Sequence, residues 1–106
     1  MASSARVVLV TVPTGGKAQT LAEGAVESRL AACVNVIPGV VSVYRWKGRV
    51  HRDAESLLVI KTSAAKLTAL EKWVKSRHPY ETPEFLILNA GGGSKEYLSW
   101  LSAQVK

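Results

Sequence analysis

Leu57-Leu58-Val59-Ile60 sets four apolar side chains in succession, alternating between the two faces of an extended segment. A short run that is apolar on both faces predicts a central strand covered on both sides. Downstream, Ser63 is placed to cap a helix from Ala64 to about Arg77, with Leu67, Leu70 and Val74 as its inner stripe. Pro79 stops that helix. Phe85-Leu86-Ile87-Leu88 predicts a further strand and Gly91-Gly92-Gly93 a turn. Ser94 then caps a short helix in which Tyr97, Leu98, Leu101 and Val105 line up.

Upstream, residues 40–52 alternate as a long hairpin turning near Lys47-Gly48, with Ser42, Tyr44 and Trp46 on one face and Val41, Val43 and Arg45 on the other. Cys33 to Ile37 predicts a separate strand ended by Pro38-Gly39. A helix over 17–30 puts Ala18, Leu21, Ala22, Ala25, Val26 and Leu30 on one face. Val7 to Val12, ended by Pro13, opens the domain as a strand. The order strand, helix, strand, strand, helix, strand predicts the α+β, ferredoxin-like βαββαβ plan with an extra C-terminal helix. Residues 1–6 are expected to be a disordered segment and 7–106 one domain, as the 106-residue length suggests. In this plan the strands at 7–12 and 57–60 are central and helices cover one face of the sheet. The other face is left apolar, and an edge such as Phe85 to Leu88 is open to pairing. Both features predict an oligomer with closed symmetry.

Composition narrows the function. Cys33, the single cysteine, excludes an internal disulfide and any zinc site built from two thiolates, and its place in a strand predicts packing as a small hydrophobe. No run approaches the ~20 apolar residues of a membrane helix. A soluble, cytoplasmic protein is expected, or an organellar one if a targeting peptide has been trimmed. The net charge of +6 raises nucleic acid as a partner. The basic residues are scattered, though, apart from Arg45, Lys47, Arg49 and Arg52, and the central strands carry no aromatic platform for bases, so a nucleic-acid partner is not expected.

Catalytic constellations do not assemble. Thr14-Gly15-Gly16-Lys17 opens a helix but lacks the second glycine spacing and the Ser/Thr of a phosphate loop, and reads as a strand-to-helix turn. Asp53 is the only aspartate, and neither histidine lies in a triad motif; His51 is expected to face solvent. The distinctive stretch is His78-Pro79-Tyr80-Glu81-Thr82-Pro83-Glu84. It holds an imidazole, a phenol and two carboxylates on a connection stiffened by two prolines. His78 is its candidate metal ligand. Tyr80 and Glu84 are candidate ligand-binding residues, with Trp46 and Lys61 expected to share the pocket. No cofactor is required on this reading, and a divalent metal would be bound only weakly, through the His78 nitrogen and a Glu81 or Glu84 oxygen.

Several segments together resemble the CutA divalent-cation-tolerance proteins. They are Arg29-Leu30-Ala31-Ala32-Cys33-Val34-Asn35, Ile37-Pro38-Gly39, Ser42-Val43-Tyr44-Arg45-Trp46-Lys47-Gly48, Ile60-Lys61-Thr62, His78-Pro79-Tyr80 with Pro83-Glu84, and Tyr97-Leu98-Ser99-Trp100. The resemblance implies a homotrimer of ferredoxin-like subunits, similar in architecture to trimeric nitrogen-regulatory signalling proteins, with no enzymatic reaction. It implies tolerance of divalent metals, chiefly copper, with ligands at inter-subunit clefts. It also implies an alternative as a signalling or scaffold trimer acting through protein partners, as in the acetylcholinesterase-anchoring relatives. The copper-binding pattern of bacterial members, a first-strand cysteine and two histidines before Pro-Tyr, falls here on Val10, Arg77 and His78. A thiolate and one imidazole are thus replaced by an apolar group and a permanent cation.

Overall fold

The computed structural model describes residues 3–106. Its elements run β1 (Ala5–Pro13), α1 (Lys17–Glu27), β2 (Cys33–Trp46), β3 (Arg49–Ser63), a 3₁₀ turn (Ala64–Lys66), α2 (Leu67–Arg77), β4 (Leu86–Asn89) and α3 (Lys95–Gln104). The four strands form one antiparallel sheet in the order β2-β3-β1-β4, so the strands at 7–12 and 57–60 are central, as the ferredoxin-like plan requires.

Four sequence expectations are corrected. The first strand begins at Ala5, because Ala5 and Arg6 pair with Ser63 and Thr62. Of the segment expected to be disordered, Met1 and Ala2 lie outside the described residues. Cys33 to Ile37 and the hairpin are one continuous strand, β2: a register shift between Ile37 and Val40 absorbs Pro38-Gly39, with Gly39 at φ 75°. Likewise β3 carries the hairpin's return arm straight into Leu57 to Ile60. The hairpin does turn at Lys47-Gly48, both at positive φ (51° and 78°). Ser63 makes no side-chain cap, and the helix it precedes opens with the 3₁₀ turn, whereas Ser94 accepts from the Tyr97 amide as a cap should.

Strand alternation decides what is buried. Val8, Val10, Val12, Leu58 and Ile60 point to one face and pack against Ala18, Leu21 and Ala25 of α1 and Leu70 and Val74 of α2. Each such side chain of Val or Leu size stabilises the fold by roughly 1.5–3 kcal/mol when fully buried. Helix α1 ends at Glu27, short of Leu30, and Val26 is exposed. Gly24 lets the two helices approach: a Cβ there would lie 2.8 Å from Trp73 Cζ2. The opposite face is not wholly bare. Leu98, Leu101 and Val105, on or just beyond α3, close over Ala5, Ala32 and Ala90 at one end of it, and Arg29, at φ 58°, donates from its guanidinium to the Gln104 carbonyl. Glu55 and Ser63 are also buried on that face, but much of the rest is partly or fully exposed, including Ile37, Leu86 and Leu88.

The β2–β3 hairpin runs past the neighbouring strands. β1 pairs with β3 only from Glu55 onward, so residues 49–54 of β3 pair with β2 alone. This arm carries exposed Val41, Val43, Val50, Tyr44 and Trp46 and draws the molecule out to 44 Å.

Candidate functional site

The connection after α2 folds onto the face opposite the helices. His78 turns out of the helix into an extended conformation (ψ 138°), as a residue before proline does. Its ring is buried, with Nε2 2.8 Å from the Thr11 carbonyl oxygen and Nδ1 3.1 Å from the Tyr80 amide nitrogen. A carbonyl can only accept and an amide N–H can only donate. Nε2 therefore carries the proton and Nδ1 supplies the lone pair.

Tyr80 leans on that ring at 4.8 Å, and its hydroxyl donates to Glu55 Oε2 at 2.7 Å. Glu55 is 4% exposed, and among the described residues the one ion pair is the surface pair Lys75–Glu71. This carboxylate is therefore buried beside a phenol with no cation in contact, an arrangement that costs free energy unless a partner supplies one. Its influence reaches both neighbours. Burial, and then the hydrogen bond and charge of Glu55, hold the Tyr80 phenol well above the ordinary tyrosine range. Burial and the charge of Glu55 raise the Glu84 carboxyl.

Two residues along β3, on the same face, Asp53 accepts from the Tyr44 hydroxyl, and that bond raises Tyr44. His51 is half-buried, stacked on Tyr44 at 5.4 Å and 17°, where the sequence reading put it in solvent. Cys33 opens β2 half-buried and outside both core clusters.

The expected site residues divide into two groups. His78, Tyr80 and Glu84 come together around Glu55. Trp46 and Lys61 do not join them within one chain. Trp46 pairs with Arg49, six residues before Glu55 on β3, and Lys61 lies six residues after it. At about 3.3 Å per residue each is roughly 20 Å away, in opposite directions on one face. The hairpin tip and Lys61 can meet a common ligand only from different copies.

The copper pattern is not assembled either. Val10 is buried in the helix-side core, and Arg77 stacks over Trp73 at 4.4 Å beside an α1–α2 groove of about 390 Å³. Among the described residues no three His, Cys, Asp or Glu side chains are gathered for a metal ion. His78 has no free lone pair, so the residues present do not fit a tight metal site. Glu55 and Thr11 went unnoticed in the sequence. Glu55 carried one usable signal, its parity with Leu57 and Val59 on a strand face; the part played by Thr11 is a backbone carbonyl, which no side-chain pattern announces.

The family model described as CutA1 divalent ion tolerance protein matches residues 6–104. A divalent-cation tolerance protein CutA of Thermus thermophilus is 50% identical over 95 residues, covering 90% of this chain and 92% of that protein. A solved CutA1 structure from the same organism covers 96% of this chain and 99% of its own at a TM-score of 0.94 and 46% identity. A chloroplastic CutA 1 of Oryza sativa is 48% identical over 90% of this chain, which spans about half (54%) of that longer protein. A CutA of Synechococcus elongatus, solved in complex with Bis-Tris, has a TM-score of 0.89 and 40% identity, covering 98% of this chain and 97% of that one. No helix among the described residues is long and apolar enough to cross a membrane. Sequence, fold and the elements that carry the Tyr80 site agree, and the chain belongs to the CutA1 divalent ion tolerance family.

Proposed function

We propose that the chain works as a non-enzymatic homotrimer in divalent-cation tolerance, and that its inter-subunit clefts take a small hydroxylated organic cation rather than a tightly caged metal ion. The observation that carries this reading is Glu55, a buried carboxylate with Glu84 beside it, hydrogen-bonded to a phenol and with no cation in contact among the described residues. An ammonium group attracts carboxylates and aromatic faces without needing the convergent ligand set that a metal requires. Bis-Tris, held by the Synechococcus relative, belongs to this chemical class.

The same geometry supports assembly. Val41, Val43 and Val50 are 60–66% exposed on an arm whose outer edges are unpaired, and a neighbouring copy would cover them. The neighbours would also bring Trp46 and Lys61 to the Glu55 region, which one chain cannot do. Three copies is the number the family resemblance implies.

Light scattering during size-exclusion chromatography tests the assembly, with three times the 11.4 kDa chain mass expected. A monomer would overturn it. Titration with Bis-Tris, followed by NMR, is expected to shift Trp46 and Tyr80 signals saturably, and Glu55→Gln is expected to abolish that response. Signals that stay put at millimolar Bis-Tris would sink the ligand assignment.

A further inference from the structure

We infer that His78 is a positioning residue, which uses the Nδ1 lone pair to hold Tyr80 over Glu55 and so cannot serve as a metal ligand while the site is formed. The inference rests on the ligand reading only in what the site is for; its geometry is independent of it.

The contacts form a closed path across two central strands. Thr11 on β1 accepts from Nε2–H (2.8 Å), Nδ1 accepts from the Tyr80 amide (3.1 Å), and the Tyr80 hydroxyl donates to Glu55 on β3 (2.7 Å). The strands themselves close the path, since Thr11 pairs with Leu57 and Pro13 with Glu55. Each link has one direction only. The Thr11 carbonyl fixes the ring proton on Nε2, which leaves Nδ1 as the acceptor, and this fixes the first residue after Pro79. The ring contact at 4.8 Å then limits where the phenol can go. A metal ion on Nδ1 would take the same electron pair as the Tyr80 N–H. One on Nε2 would have to displace the proton that Thr11 holds. Either event breaks the path to Glu55, so metal occupancy of His78 and the Tyr80–Glu55 contact exclude each other.

Two amide replacements separate the two ring nitrogens. In His78→Asn the side-chain oxygen stands near the place of Nδ1 and can still accept from Tyr80. In His78→Gln the amide nitrogen reaches the place of Nε2 and can still donate to Thr11. The readout is the ionisation of Tyr80, followed in the assembled protein by the ¹³C shift of its ring carbon bearing the hydroxyl. His78→Asn is expected to keep the raised ionisation of the wild type, and His78→Gln to let it fall toward the ordinary value of ~10. In the wild type, ¹⁵N spectra are expected to show a neutral ring protonated on Nε2.

Equal loss in both variants, no loss in either, or a proton on Nδ1 would overturn the inference. Because Tyr80 ionisation is read without any ligand, failure of Bis-Tris to bind would count against the proposed function and leave this inference standing.

Discussion

The Tyr80 hydroxyl reaches Glu55 Oε2 across 2.7 Å, tying the proline-stiffened connection after α2 to the third strand, 25 residues earlier in the chain. A phenol donating to a buried carboxylate is a charge-assisted bond, and removing it strands the acceptor.

Tyr80→Phe keeps the ring against His78 and deletes only the donor. The expected loss is about 1–3 kcal/mol, the usual cost of leaving a buried acceptor unsatisfied. Urea denaturation of the two proteins checks it, and an unchanged midpoint would mean that water already serves Glu55.

The raised Tyr80 ionisation has a definite sign in stability. The folded protein holds the Tyr80 proton more tightly than the unfolded chain, whose tyrosines titrate near ~10. The stabilisation is therefore complete below that pH and is lost as pH rises above it. Denaturation midpoints measured between neutral and strongly alkaline pH are expected to fall more steeply for the wild type than for Tyr80→Phe.

Glu84 behaves in the same sense at the acid end. Its carboxyl is raised by burial and by Glu55, so its protonated form is the one favoured by folding. Stability from Glu84 is present below the ordinary carboxyl range and declines as the pH climbs through it. Glu84→Gln, which cannot ionise, is expected to be more heat-stable than the wild type at neutral pH and to show no such gain in acid. Calorimetric melting at both pH values decides the matter.

Gly24 sits inside α1, where alanine would ordinarily gain about 0.5–1 kcal/mol. The Cβ contact of 2.8 Å with Trp73 reverses that sign. Gly24→Ala is expected to cost on the order of 1–3 kcal/mol through overpacking, and to be restored when Trp73→Leu is added. Additive losses in the double variant would show that the two sites do not meet.

The turn at Lys47-Gly48 holds a lysine at φ 51°. Lys47→Asn places the residue that favours this conformation and is expected to raise the thermal midpoint slightly, while Lys47→Val, β-branched at positive φ, is expected to lower it.

Much of the architecture was legible because its signals are local. The apolar alternation of Val8, Val10, Val12, Leu58 and Ile60, the turn at Lys47-Gly48 and the cap at Ser94 each depend on neighbours a few residues away. The single cysteine and the family segments from Arg29 to Trp100 were equally plain. What the sequence could not show was where strands stop. Pro38-Gly39 looked like an end and is a bulge within β2, since pairing with β3 outweighs two poor strand formers. The site was beyond reach for a related reason. That Glu55 is buried with no cation in contact among the described residues, that Thr11 offers a carbonyl to His78, and that Trp46 and Lys61 stand on opposite sides of Glu55 are all set by strand register and by the fold of the 78–84 connection. These are contacts between residues up to 67 positions apart, and only the closed tertiary structure brings such partners within hydrogen-bonding distance.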